Sequence, residues 1–278
     1  MIINGKTIAR TLVEELKTLP NKRKMLHVIV VGKDPATLSF ITEKQRIAQE
    51  LDIEFQVHSF PERAKEEDLR REIASLAEKK LCGGIIIQLP LPSHLNKQYL
   101  LNSIPREKDV DVLSERALGA FYTGRSNILP PSVATLLQIV DSTFVHSNGD
   151  EQEIAKWFFE NKKVAVVGLG LLVGKPIATW LLGKCPEIFF LDKGSNMSLL
   201  KEMDVIISGV GESGLINASM LKPDACVIDF GYSKKGTQLR GDFDARECPE
   251  TLHYTPTPGG TGPVLVAEIF KNFLLLNK

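Results

Sequence analysis

Between Lys163 and Ala178 the chain reads Lys-Val-Ala-Val-Val-Gly-Leu-Gly-Leu-Leu-Val-Gly-Lys-Pro-Ile-Ala, and few folds accept such a stretch. Val164 to Val167 form a short unbroken apolar run, the pattern of a strand buried on both faces of a parallel sheet. Glycines at 168, 170 and 174 then make a turn, and a helical apolar spacing follows. Gly168 permits a tight turn, and Gly170 lets a ligand approach the backbone with no side chain between. The helix points its unpaired amides and positive dipole end back at the turn, which suits a pyrophosphate. A second strand, 187–191, ends at Asp192, where a carboxylate can hold a ribose hydroxyl. The spacing G-x-G-x-x-x-G is one residue longer than the common dinucleotide fingerprint. The segment is therefore either a dinucleotide turn or a purely structural strand-to-helix turn.

A chain of 278 residues has room for two domains of ordinary size, each with its own core. Its 43% hydrophobic and 24% charged residues are those of a soluble globular protein. Formal net charge is +0, so no global field draws nucleic acid or an anionic membrane, and neither is expected as a partner. The basic cluster Lys22-Arg23-Lys24 reads as a solvated turn ahead of a strand. No signal-peptide pattern opens the chain, and no apolar stretch reaches the roughly 18 to 20 residues that span a bilayer. Cys82, Cys185, Cys226 and Cys248 are scattered, which suggests reduced thiols in a cytoplasmic enzyme. The histidines form no H-x-x-x-H pair, so no metal site is expected.

The first third alternates in type. Helix 6–18 and buried strand 26–32 are followed by a turn opened at Asp34-Pro35, helix 37–51 and strand 54–60. A charged amphipathic helix, 65–80, then leads to a buried strand from Gly84, stopped by Pro90 and Pro92. That βαβαβ succession predicts a parallel sheet with helices on its faces. After Pro130 and Pro131 come helix 133–140, a polar surface loop at 146–153, and strands at 187–191, 204–208 and 225–230. A Pro/Gly loop leads into a last helix, 264–275. The predicted fold is α/β with two domains, 1–128 plus 263–278 and 129–262, and a cleft between them. Ligand sites in such folds lie beyond the carboxyl ends of strands. The turn after Gly32, the strand end at Gln88 and the Lys108-Asp-Val-Asp111 loop share that address.

Phe40 and Lys44 are four apart and so lie on one helix face. A lysine held in a partly buried cleft has a lowered pKa and can carry protons, although an ordinary surface lysine is the commoner case. Gln88 can orient a neighbouring amine or pin the turn's backbone. Asp109 and Asp111 can grip a cationic or amidine-like ligand edge, but cap and turn duties are commoner for such residues. The sequence offers no Ser-His-Asp or Cys-His arrangement and no P-loop.

Together these segments resemble the methylenetetrahydrofolate dehydrogenase/methenyltetrahydrofolate cyclohydrolase family, the FolD-type bifunctional enzymes, over residues 3–273. The likeness rests first on Val31-Gly-Lys-Asp-Pro-Ala-Thr37, Gly84-Ile-Ile-Ile-Gln-Leu-Pro-Leu-Pro92 and Lys108-Asp-Val-Asp111. It continues in Val173-Gly-Lys-Pro-Ile-Ala178, Gly241-Asp-Phe-Asp244 and Thr257-Pro-Gly-Gly-Thr-Gly-Pro263. The resemblance implies hydride transfer from a methylene-folate to a nicotinamide, then hydrolysis of the methenyl ring to formyl-tetrahydrofolate. By the same resemblance Lys44 matches the catalytic lysine, Gln88 the glutamine that positions it, and Asp111 the aspartate that grips the pterin. Phe40 and Pro263 fall on the folate side; Gly168, Leu169, Gly170, Gly174, Asp192 and Tyr232 fall on the cofactor side. A homodimer formed through the nucleotide domain is also implied.

The departures carry information too. The family usually has Tyr at position 40, Gly at 112, and Pro-Cys-Thr-Pro where this chain has Pro130-Pro-Ser-Val133. Phe40 keeps a ring that can stack on a pterin but lacks the hydroxyl, a loss worth roughly one to three kcal/mol at a transition state. Two alternatives to the bifunctional reading follow: a dehydrogenase with weak or absent cyclohydrolase activity, and an idle nucleotide-binding homologue. The usual Gly-Arg-Ser turn is Gly168-Leu-Gly170, and the basic, serine-bearing stretch after the second strand is Leu191-Asp-Lys193. Without that arginine and serine, and with Asp192 to repel a 2′-phosphate, NAD is favoured over NADP, Lys193 being the opposing feature.

Overall fold

A computed structural model describes residues 1–20, 23–32, 35–147, 149–235 and 238–278. Lys22 of the basic cluster, Asp34 of the turn and Asn148 of the polar loop lie outside the described residues. The chain divides into two compact units. Thr11–Pro131 with Val266–Lys278 holds a three-stranded sheet, and Met1–Arg10 with Ser132–Leu265 holds a five-stranded one.

Helix α1 (Gly5–Leu16) turns Ala9, Leu12, Val13 and Leu16 inward, the spacing of one helix face. Strand β1 (Met25–Val31) is buried almost throughout and leads to helix α2 (Pro35–Glu50). Strand β2 (Glu54–Phe60) lies at a sheet edge and stays largely open to solvent. Helix α3 (Glu66–Glu78) carries Glu66, Glu67 and Asp68 in its first turn, where they favour the dipole, and buries Leu69, Ile73 and Leu76. Strand β3 (Cys82–Ile87) is buried along its whole length. All three strands are parallel, in the order β2-β1-β3. Helices α4 (Lys97–Leu101) and α5 (Glu115–Tyr122) are capped by the Asn96 and Ser114 side chains.

Helix α6 (Pro131–Val140) runs on into a π-helical turn, Asp141–Val145. The buried Asp141 carboxylate accepts hydrogen bonds from Ser147 N, Ser147 Oγ and Gly149 N, so the polar stretch is folded back on this turn. The loop predicted over 146–153 is also shorter than expected, because Asp150 caps a one-turn helix α7 (Glu151–Ile154). A second π-helical turn, Ala155–Phe159, follows. Strand β4 (Lys163–Val167), helix α8 (Gly174–Leu181), and strands β5 (Glu187–Leu191), β6 (Val205–Ser208), β7 (Ile216–Asn217) and β8 (Cys226–Asp229) come next. The hairpin β9 (Ser233–Lys235) and β10 (Gln238–Arg240), strands β11 (Phe243–Asp244) and β12 (His253–Tyr254), and helix α9 (Thr261–Leu276) complete the chain. The main sheet is parallel, ordered β12-β8-β6-β4-β5, and β11 pairs with β7 beside it. Trp180 on α8 is buried edge-to-face against Phe159 and donates to Glu151 Oε2, whereas Trp157 is 72% exposed.

The division differs from the predicted 1–128 plus 263–278 at both chain ends. Ile3 N donates to Tyr254 O at 2.8 Å and Lys6 N to Gly259 O at 3.2 Å, which ties the first ten residues to the five-stranded unit. The last helix begins at Thr261, three residues before the apolar pattern that predicted it, with Pro263 in its first turn where no amide is needed.

Candidate active site

In the three-stranded sheet the chain passes from β1 to β2 on one side and then crosses to β3 on the other. The order reverses between β1 and β3, so the crevice expected of such a sheet opens at their carboxyl ends. Three separate elements deliver side chains there. Helix α2, which follows β1, carries Lys44; Gln88 comes directly after β3; and a bridge between Ile85 and Asp109 lays the 108–111 loop beside β3. Phe40 is half-buried one turn before Lys44 on α2.

Lys44 is only 5% exposed, and its Nζ donates to Gln88 Oε1 at 2.8 Å. Gln88 Nε2 donates to Leu89 O at 3.0 Å, and Gln88 N to Ile29 O at 2.9 Å. The side-chain amide thus gives one hydrogen to the turn's backbone and aims its oxygen at the lysine, so Gln88 makes contacts of both kinds weighed for it. Burial lowers the Lys44 pKa from its usual range, while the neighbouring Asp111 partly restores it. For Asp111 the signs reverse: burial raises its pKa and Lys44 lowers it. A buried lysine shifted toward its neutral form, with a carboxylate limiting the shift, is suited to accepting and returning a proton.

The two aspartates of the loop divide the roles that sequence left open. Asp109 is 1% exposed, and its Oδ2 accepts from Leu113 N at 3.0 Å and Ser114 N at 2.8 Å. Burial pushes its carboxyl up to about 6. Asp109 thus performs the turn duty, and Asp111 is the one coupled to the lysine. Val112 follows with φ at +55°, buried against Ala117 and Ile128. A β-branched residue there is strained, and the family's glycine would not be.

The five-stranded sheet repeats the reversal between β4 and β6. After β4, Gly168 adopts φ +83° and donates its N–H to Leu191 O at 2.7 Å, joining the ends of β4 and β5. A Cβ on Gly174 would overlap the Gly168 carbonyl, so the first turn of α8 closes directly on the glycine turn. A Cβ on Gly170 would meet nothing within 4 Å; the exposed Gly170 leaves approach space above the turn. Leu169 is half-buried, and α8 starts at Gly174 without a side-chain cap. Lys175 N donates to Gly170 O at 3.0 Å and Pro176 has no N–H, so the Gly174 amide is the first-turn group left for an anion. Asp192 is exposed just past β5; its Oδ1 accepts from Lys193 N, and its own N–H donates to Ser195 Oγ, both at 2.9 Å. The backbone, the uncapped helix and the terminal carboxylate fit a dinucleotide. Tyr232 is half-buried in the loop after β8, its carbonyl oxygen 3.6 Å from where a Gly211 Cβ would stand. Pro263 falls in the five-stranded unit and not with Lys44 in the three-stranded one.

Sequence reasoning gave no role to Asp229 or Asp242, both buried at the carboxyl side of the same sheet. Their signal was Gly231 and Gly241: a Cβ on either glycine would overlap one of these carboxylates.

Two family models cover most of the chain. The tetrahydrofolate dehydrogenase/cyclohydrolase catalytic domain matches residues 3–111, and the NAD(P)-binding domain of the same family matches residues 152–278. The chain belongs to the tetrahydrofolate dehydrogenase/cyclohydrolase family. It is 32% identical to bifunctional protein FolD 2 of Lactobacillus johnsonii over 100% of this chain and 97% of that protein. Among solved structures it is similar to the Campylobacter jejuni FolD methylenetetrahydrofolate dehydrogenase/cyclohydrolase. That likeness has a TM-score of 0.87 and 27% identity, over 99% of this chain and 97% of that one. The Trypanosoma brucei FolD, solved with NADP cofactor and an inhibitor, gives a TM-score of 0.87 and 26% identity over 99% and 96%. Both members of the family's domain pair are therefore present, each on its own parallel sheet.

Proposed function

We propose that this family member oxidises 5,10-methylenetetrahydrofolate to the methenyl form and hydrolyses that product to 10-formyltetrahydrofolate. The observation that carries the reading is the buried Lys44–Gln88 hydrogen bond with Asp111 beside it, in a chain that has both family domains. In the hydrolytic step Lys44 takes a proton from the attacking water and returns one to the nitrogen released as the C–N bond breaks. Gln88 fixes the position of the amine. Asp111 binds the amidine-like edge of the pterin and limits the depression of the lysine pKa. The half-buried Phe40 ring stacks on the pterin.

When bound, the nicotinamide supplies the hydride acceptor. Gly168, Leu169, Gly170 and Gly174 would hold its pyrophosphate, with Tyr232 beside the ring-bearing half. This step calls on no protein nucleophile, and its acceleration comes from holding two rings face to face. Asp192 supports NAD over NADP, since an exposed carboxylate at the end of β5 accepts a ribose hydroxyl and repels a phosphate. The proposal extends to a cytoplasmic homodimer assembled through the five-stranded unit, where β5 forms a sheet edge with Phe190 exposed.

The test is spectrophotometric oxidation of methylenetetrahydrofolate with NAD and NADP in parallel. Turnover with NAD exceeding that with NADP supports the oxidation step and the NAD preference, and Asp192→Ser is expected to narrow the ratio. Equal or faster turnover with NADP removes the NAD preference, and no turnover with either removes the function. A second reading, dehydrogenase with weak hydrolysis, is favoured by Phe40 and its missing hydroxyl. Methenyl-folate accumulating during turnover separates it from the first.

A further inference from the structure

The loop that follows β6 occupies the other side of the strand-order reversal from the glycine turn. Four donors from this short segment converge on one side chain. Asp242 Oδ2 accepts from Ser208 Oγ at 2.6 Å and Val210 N at 2.7 Å; Oδ1 accepts from Gly211 N and Glu212 N, both at 2.8 Å. Asp242 and Ser208 are fully buried, so the Ser208 hydroxyl has no water to turn to if the carboxylate is lost, whereas Val210, Gly211 and Glu212 are exposed and depend on Asp242 for their placement.

The anchored loop presses on both ends of the glycine turn. Val210 Cγ2 lies 2.8 Å from where a Gly168 Cβ would stand, and Val173 Cγ1 lies 2.7 Å from where a Gly209 Cβ would stand. Asp229 secures the anchor in turn: it accepts from Gly231 N at 2.6 Å and Phe243 N at 2.9 Å, on either side of Asp242 in space and sequence. The fit is reciprocal, since Asp242 is seated against Gly231 and Asp229 against Gly241.

We infer that Asp242 is a positioning residue for the dinucleotide, fixing the Val210–Glu212 backbone as the second wall of the site opposite the glycine turn. The inference rests on the dehydrogenase reading above. Asp242 touches no reacting atom in this scheme; it acts through the loop. An asparagine there keeps one acceptor oxygen and turns an NH₂ toward donors that already have hydrogens to give. The Asp242→Asn variant should raise the KM for dinucleotide by about tenfold to a hundredfold, with kcat altered far less. Hydrolysis of methenyltetrahydrofolate, which depends on Lys44 and not on this loop, should stay within about twofold of the parent rate, whereas general unfolding would abolish both.

The parent enzyme supplies a second measurement that needs no variant. Hydrogen exchange at the amides of Val210, Gly211 and Glu212 should slow further when NAD, or NADP in a parallel sample, is added. A folded Asp242→Asn variant with unchanged dinucleotide KM overturns the inference, as does dinucleotide binding that leaves those three amides unaffected. Failure of the parent to bind either dinucleotide by calorimetry overturns the dehydrogenase reading instead.

Discussion

The two candidate sites occupy the same address in their sheets and are built from opposite materials. At the β1/β3 reversal, the proposed function is carried by side-chain atoms delivered by three elements: Lys44 Nζ, Gln88 Oε1 and the Asp111 carboxylate. At the β4/β6 reversal it is carried by backbone shape, with side chains working from behind. A site made of side chains is lost with one functional group. A site made of backbone tolerates changes at its surface and fails when a glycine or an anchor is filled or removed. On this division a turn can carry Leu169 and Gly170, without the side chains of an arginine and a serine, and keep its backbone shape.

The sharpest break of that comparison is Lys44→Met. Methenyl hydrolysis should fall by about a hundredfold to ten-thousandfold, the usual worth of a positioned general acid–base, while NAD affinity stays unchanged. Loss of oxidation with hydrolysis intact, in a coupled assay, would show that the lysine has been given the wrong step. Gly174→Ala tests the backbone site from the other side. Its added methyl collides with the Gly168 carbonyl, so we expect dinucleotide binding to weaken and stability to drop by about 1–3 kcal/mol. Calorimetry and chemical denaturation read the two effects separately.

A subtler test concerns pH. If the neutral Lys44 amine is the base, hydrolysis rises as pH passes upward through the lysine's pKa. Asp111 raises that pKa against the pull of burial, so Asp111→Asn should move the rising limb of the kcat profile to lower pH. A limb that stays in place, or moves up, separates Asp111 from the lysine's electrostatics. The smallest effect is expected at Val112, where backbone and packing compete. Left-handed geometry costs an L-residue roughly 1–2 kcal/mol, and only glycine relieves it. Val112→Gly should therefore be less destabilising than Val112→Ala, although it removes more buried carbon from the cluster with Ala117 and Ile128. Urea midpoints for the two variants decide the order.

Legibility from sequence followed the same division. Strands β1, β3 and β4 were plain because continuous apolar runs of strand length have few other uses, and Gln88 could be placed past a strand end from topology. For Lys44 position alone favoured an ordinary surface lysine, and its role came from the family resemblance. Periodicity could not tell Asp109 from Asp111, two residues apart in one loop; that needed the amides of Leu113 and Ser114 in place. Strands β7 and β11 are two residues each, too short to show a period, so Asp242 beside them read as part of a motif with no duty. The π-helical turn at Asp141–Val145 was hidden because its cause is a carboxylate bonding forward to Ser147 and Gly149. The assignment of Met1–Arg10 depends on pairing with Tyr254, a partner some 250 residues away that no local pattern announces.

The placement of the indole rings gives the molecule a built-in optical label. Both tryptophans of the chain, Trp157 and Trp180, belong to the five-stranded unit. Emission excited through tryptophan is therefore blind to the half that carries Lys44. The sheltered ring of Trp180 sits on the helix that closes over the glycine turn and should emit to the blue. The solvated ring of Trp157 should emit to the red and yield to iodide quenching. With the red component quenched, a dinucleotide titration can be followed on α8 alone, and melting of the five-stranded unit can be read without adding a dye.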